Sequence, residues 1–140
     1  ADCVQVDLAR VCREQVALCG ELFEGRGLHA GVRLPERFTV LMNETLAEVL
    51  VSNLVRNAYI HSACGAFIDV YTEGTTLVVE NDGERRLDGD RIFERFYQGS
   101  KREGSTGLGL ALVRAVCNCY GLRAEYDFRD GRHRFRIVWP

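Results

Sequence analysis

Between Asn43 and Ser62 the sequence dictates one element before anything else is settled. Leu46, Val49, Leu50, Leu54 and Ala58 recur at three- and four-residue spacing, the period that places side chains on one face of an α-helix. Asn43 supplies an N-cap, and the helix is expected to end near Ser62, ahead of Cys64-Gly65. Beside the apolar stripe, Asn53, Asn57 and His61 lie four apart and so project from one adjoining face. A solvated face more often carries Lys, Glu or Arg, and Asn is a poor helix former, so two at this spacing need a reason. Two reasons stand side by side. Amide oxygens suit a hard cation such as Mg²⁺, which takes oxygen ligands while bridging phosphates, and Asn side chains are equally satisfied by neighbouring backbone.

Around this helix the remaining elements fall into place. Residues 3–6 are extended, Asp7 is an N-cap, and Leu8, Val11, Cys12, Val16, Cys19 and Leu22 predict one amphipathic helix running to Gly25. Short strands are expected over 31–34 and 38–42 on either side of Pro35. Further strands are expected over 66–71 and 76–80, joined at Glu73-Gly74, with Asn81-Asp82-Gly83 breaking the second. A short helix over 90–97 leads into a Gly- and Ser-containing segment, 98–107, and then a helix over 108–120. Strands over 122–128 and 133–139 close the chain as a hairpin turned at Asp130-Gly131. With neither a repeat nor a βαβ rhythm, this order predicts an α/β (α+β) two-layer sandwich whose mixed, largely antiparallel sheet packs on helices.

Composition excludes several function classes. The 140 residues, 46% of them hydrophobic, suit a single domain over 1–140 with a real core. A net charge of -2 with interspersed signs leaves no basic footprint for nucleic acid and no polybasic patch for direct membrane contact. The six cysteines form no C-x-x-C pair and are read as reduced core residues of a cytoplasmic domain. The three histidines lack zinc-site spacing. No apolar run approaches the roughly 20 residues that span a bilayer, and no signal-peptide pattern opens the chain. Because it begins at Ala1 without Met, the expectation is a fragment whose parent holds any inner-membrane anchor elsewhere.

Two further motifs carry chemistry. Gly104-Ser105-Thr106-Gly107-Leu108-Gly109-Leu110 runs into a helix, where glycines let backbone N–H groups approach a phosphate and the helix N-terminus adds positive partial charge. It matches neither the P-loop nor the Rossmann fingerprint, and a flexible loop closing on a helix is the plain alternative. Val78-Val79-Glu80-Asn81-Asp82-Gly83 ends a strand in a polar turn. A side-chain carbonyl there can accept from an adenine amino group while Gly83 admits the base, although such turns are common.

In order and combination, Asn-Leu-Val-Arg-Asn-Ala at 53–58, Asn-Asp-Gly at 81–83, Ile-Phe-Glu-Arg-Phe-Tyr at 92–97 and Thr-Gly-Leu-Gly-Leu at 106–110 resemble the N, G1, F and G2 boxes of sensor histidine kinases. The resemblance implies the Bergerat-type ATP-binding fold shared with gyrase, Hsp90 and MutL. It further implies ATP as substrate, Mg²⁺ held by Asn57, and Asn53 near the metal and phosphates. Asn81 and Gly83 would meet adenine, and Phe93, Phe96 and Tyr97 would anchor a lid. Thr106, Gly107, Leu108, Gly109 and Leu110 would cover the phosphates, with His61, Lys101 and Arg102 as nearby cations. Arg102 or Lys101 would neutralise charge developing on the γ-phosphoryl group.

Related ATPases place a glutamate where this chain has Asn53, and an amide cannot act as that general base, so transfer is favoured over gyrase-type hydrolysis. None of the histidines stands in the family's phosphoacceptor setting. The acceptor is therefore expected on a separate dimerisation and phosphoacceptor hairpin of the parent kinase, with a response regulator downstream. The chain departs from many relatives at Ile60, where a Lys or Arg is usual, at Asn81, where Asp is usual, and at Arg85, where a second Gly is usual. These departures motivate an alternative: a degenerate, non-catalytic nucleotide- or partner-binding module. The short segment 98–105 suggests a compact lid.

Overall fold

The computed structural model describes residues 2–95, 97 and 107–140. The elements that fix the fold are β1 (Val4–Asp7), α1 (Leu8–Leu18), α2 (Gly20–Gly25), β2 (His29–Arg33), β3 (Thr39–Met42), α3 (Glu44–His61), β4 (Phe67–Glu73), β5 (Thr76–Asp82), α4 (Gly109–Tyr120), β6 (Arg123–Arg129) and β7 (Arg132–Val138). Five strands form a sheet in the order β2-β4-β5-β7-β6, parallel between β2 and β4 and antiparallel at every other pairing. Strands β1 and β3 form a separate antiparallel ribbon. The two-layer architecture expected from the sequence is present, with α3 and α4 packed on one face of the sheet and α1 against α3.

Strand alternation explains the core. Leu77 and Val79 of β5 and Phe135 and Ile137 of β7 are directly opposed in register, so all four point to one face and are buried. They meet Leu50, Val51, Leu54, Val55 and Ala58 of α3 and Val113, Val116 and Cys117 of α4. Each Val, Leu, Ile or Phe among them, fully withdrawn from water, contributes about 1.5–3 kcal/mol of transfer free energy. Helix α3 begins where Asn43 Oδ1 accepts from Leu46 N at 3.0 Å. Helix α4 ends on Gly121 at φ 65°, where the N–H of Leu122 returns to the Cys117 carbonyl at 2.9 Å.

Three expectations are corrected. The first helix breaks at Cys19 into α1 and α2, because Gly20 costs about 0.5–1 kcal/mol relative to Ala inside a helix. Over the described residues of 90–97 there is no regular helix. Successive turns run Arg91 N to Asp88 O, Glu94 N to Arg91 O and Tyr97 N to Glu94 O, started by Asp88 Oδ1 accepting from Asp90 N. So short a stretch, anchored by the buried Ile92 and Phe93, cannot repay helix nucleation. Finally, the cysteines are not all core residues. Cys12 and Cys117 are buried, Cys19 is intermediate, and Cys3, Cys64 and Cys119 are exposed, all six as free thiols.

Candidate functional site

The line of polar residues on α3 is where the spacing placed it. Asn53, Asn57 and His61 are half-buried on the flank of the helix beside the buried Leu50, Leu54 and Ala58. Asn53 Nδ2 donates to the Val49 carbonyl one turn back at 2.7 Å. With its nitrogen committed to its own helix, the Asn53 amide turns its oxygen towards the first turn of α4. A Cβ added at Gly109 would lie 3.3 Å from Asn53 Oδ1, tighter than ordinary contact.

Gly109 is thus what lets the start of α4 close on α3. Just before it, Gly107 has φ 74°, a left-handed conformation that favours glycine. The N-cap of α4 is Leu108, without a side-chain cap hydrogen bond, and the first-turn N–H groups carry the positive end of the helix dipole. Leu110 follows inside α4, packed against the core. Phe96, Lys101, Arg102, Thr106 and the segment 98–105 lie outside the described residues.

The third part of the site differs from its sequence reading. Strand β5 runs to Asp82, so Asn81 lies within the sheet, between Ile68 and His133 in register. It is 1% exposed and occupies the same helix-facing side as Leu77 and Val79. Its Nδ2 donates to the Asp82 carbonyl at 3.2 Å.

Gly83 follows, and a Cβ there would fall 2.1 Å from His133 Nε2 and 2.3 Å from His133 Cδ2. The glycine makes room for an imidazole of this chain. The open space read from the sequence as room for a base is, on that side, filled by His133. Phe93 is buried edge-on against Phe135 with ring centroids 6.4 Å apart, and the Arg114 guanidinium lies 5.1 Å over its other side. Tyr97 is half-buried under Arg91 at 4.9 Å.

Residues that the sequence did not single out hold this region together. Tyr126 OH and His133 Nδ1 are 2.7 Å apart, and Leu87 N donates to Tyr126 OH at 2.9 Å. An N–H can only donate, so every group is satisfied when Tyr126 gives its own proton to His133 Nδ1, which leaves the imidazole neutral with its proton on Nε2. Burial pushes the His133 pKa below its ordinary 6.5, in keeping with a neutral ring. Desolvation likewise raises Tyr126.

The signal for His133 was available in the alternation of the last strand. His133, Phe135 and Ile137 share one face, so a histidine two residues before a core Phe must point inward.

The matching family model, described as histidine kinase-, DNA gyrase B-, and HSP90-like ATPase, covers residues 42–140. This chain belongs to that family.

The family match supports ATP binding by this domain, with α3, the end of β5 and the start of α4 as the candidate site. The chain is 38% identical over 80 residues to the heme sensor protein HssS of Staphylococcus saprophyticus subsp. saprophyticus, a match covering 53% of this chain and 17% of the relative. It is 27% identical over 121 residues to the sensor-like histidine kinase SenX3 of Mycobacterium tuberculosis, covering 79% of this chain and 30% of SenX3. The chain therefore spans less than a third of the length of these curated relatives.

Among solved structures, the nucleotide-free catalytic domain of histidine kinase ThkA superposes with TM-score 0.87 at 22% identity, over 100% of this chain and 96% of that one. The mycobacterial sensor histidine kinase MprB superposes with TM-score 0.81 at 22% identity, over 98% and 97%. Both likenesses are of fold. Among the described residues no helix is long and apolar enough to cross a membrane.

Proposed function

We propose that this chain is the ATP-binding catalytic domain, one folded unit over residues 1–140, of a two-component sensor histidine kinase. In this reading it transfers the γ-phosphoryl group of ATP to a histidine on a separate dimerisation and phosphoacceptor hairpin, and a response regulator receives the group afterwards. One observation carries the choice of transfer over hydrolysis. The residue facing the start of α4 is Asn53, whose nitrogen is tied to Val49 O and whose oxygen lies against Gly109. An amide cannot take a proton from water, so the position that would activate a hydrolytic nucleophile is chemically silent. Relatives whose names record sensor histidine kinases support the same class, as does a complex of ThkA with the response regulator protein TrrA.

Each site residue has a part in this proposal. Asn81 and Gly83 form the floor for adenine, and Phe93 and Tyr97 hold the stem of the covering segment. Gly107, Leu108, Gly109 and Leu110 present backbone N–H groups to the phosphates. Asn57 is the side-chain ligand of Mg²⁺, with Asn53 and His61 alongside. Among the described residues no three His, Cys, Asp or Glu side chains converge on one point, and an amide with phosphate oxygens is the donor set that Mg²⁺ accepts. When bound, the ion would neutralise the β- and γ-phosphate oxygens. Lys101 and Arg102 are assigned to the charge that develops on the transferring group. Thr106 completes the phosphate cover. The domain is assigned to the cytoplasm, with any membrane anchor elsewhere in the parent.

Titrating Mg-ATP into the chain tests the first half: saturable heat and a raised Tm are expected, both lost in Asn57→Ala. Mixing the chain with its parent's histidine hairpin and labelled ATP tests the second. Acid-labile label on the hairpin supports transfer, and free phosphate released without a labelled hairpin sinks it.

A further inference from the structure

The family resemblance implies a carboxylate at the position of Asn81, and the exchange creates an ambiguity. A carboxylate offers only acceptors, whereas an amide offers an oxygen when turned one way and an NH₂ group when turned the other. The two orientations read opposite bases. Adenine presents an exocyclic amino donor where guanine presents a carbonyl acceptor.

In this chain the ambiguity is removed from beneath. Asn81 Nδ2 donates to the Asp82 carbonyl at 3.2 Å, and turning the amide over would set two oxygens against each other. That carbonyl is fixed because both arms of the Asp82 carboxylate are held. Oδ2 accepts from Phe67 N at 2.8 Å, and Oδ1 accepts from Arg132 Nη1 at 2.5 Å. Arg132 is itself clamped, its Nη2 reaching Asp69 Oδ2 at 2.5 Å and the Glu80 carbonyl at 3.5 Å, with a side chain only 19% exposed. The brace joins β4, β5 and β7, so it belongs to the sheet.

The geometry points to Arg132 as a positioning residue for purine selection. By holding Asp82 it holds the Asn81 amide with its oxygen presented, so the site accepts an adenine nucleotide and rejects a guanine one. This inference rests on the proposed role of Asn81 as the base contact. Arg132 acts on the opposite face of the sheet from the nucleotide and touches no part of it.

Calorimetric titration of Mg-ATP and Mg-GTP into the chain and its variants tests this. The unaltered chain is expected to bind ATP at least about tenfold more tightly than GTP, the scale of one mispaired buried polar group. Arg132→Lys keeps the charge but loses the two-pronged fork, and the ATP/GTP preference is expected to fall about threefold or more, the scale of one ordinary hydrogen bond. In an Asn81→Asp background, where an acceptor is presented whichever way the side chain turns, the same substitution should leave the preference within about twofold. A merely structural role weakens both nucleotides alike and leaves the ratio where it was.

An unchanged ratio in folded Arg132→Lys overturns the inference, as does an equal fall in the Asn81→Asp background. If Arg132→Lys does not fold, Asp82→Asn carries the same comparison with the same outcomes. ATP binding with a ratio near one in the unaltered chain overturns this inference alone. Binding of neither nucleotide overturns the proposed function and takes this inference with it.

Discussion

The two faces of the five-stranded sheet are built from the same strands on opposite rules. Towards the helices, β5 and β7 present Leu77, Val79, Phe135 and Ile137, all buried, and then Asn81 and His133 at the end nearest the turns. Away from the helices, the same strands present Glu80, Asp82, Arg132, Arg134 and Arg136. There every arginine is paired: Arg132 with Asp69, Glu80 and Asp82, Arg134 with Asp127 at 2.8 Å, and Arg136 with Glu125 at 2.9 Å. The difference teaches where to look for chemistry. The many charges of the outer face neutralise one another, while two uncharged polar groups on the apolar face sit beside the proposed nucleotide site. A polar side chain on a core face has to be explained one by one; a ladder of alternating charges largely explains itself.

If the apolar face is the one that holds the sheet together, Ile137→Ala should cost about 3 kcal/mol in chemical denaturation. A cost under about 1 kcal/mol would put that face on a par with a surface.

Next in size is Gly83→Ala, which forces a methyl group onto the His133 ring and is expected to cost about 1–3 kcal/mol. The cost should shrink in a His133→Ala background, and additivity of the two changes would show that they do not touch.

A smaller effect depends on pH. His133 is held neutral below its ordinary 6.5, so on acidification through that value the unfolded chain takes up a proton that the folded chain resists. Stability should therefore fall as pH drops below about 6.5. The slope should stay under about 1.4 kcal/mol per pH unit, reduced by water on the ring's open side. His133→Gln should flatten that slope, and denaturation midpoints between pH 7.5 and 5 would reveal it.

Smallest of all should be Arg123→Ala on the outer face. Its pairing with Glu125 at 3.7 Å is largely exposed, and a change above about 0.5 kcal/mol would mean that the outer ladder does more than neutralise itself.

Much of this architecture was legible in the residue order. Asn43 and Ser62 bracketed α3 because capping and periodicity agree there, and the hairpin of β6 and β7 followed from Asp130-Gly131, whose φ values of 51° and 74° are those such a turn demands. The break at Cys19 was not legible, since the apolar period continues through it and only Gly20 argues against. The stretch before Tyr97 read as a helix because its composition permits one; the competing turn at Asp88 is a side-chain decision.

Within the site, the α3 amides were found by spacing. Tyr126, Arg132 and His133 were missed because their importance depends on which residues lie across the strands, and register is set by the whole sheet. Asp82 was quoted in its motif, yet its bracing role emerges only from Phe67 and Arg132.

The single parallel join in the sheet also carries a consequence in time. Strand β2 can pair with β4 only after residues 34–66, which include β3 and all of α3, have crossed over the layer. Of the three antiparallel joins, β4 with β5 and β6 with β7 are short hairpins, whereas β5 with β7 must wait for residues 83–131. The sheet's first edge is thus secured only after a long loop closure, as the join of β5 with β7 is, and until it is, the backbone groups of β4 along that side remain open to strangers. Because β2 precedes β4 along the chain, the strand that covers this row is already made when β4 emerges, which makes the order of synthesis itself part of how this domain avoids sticking to its neighbours.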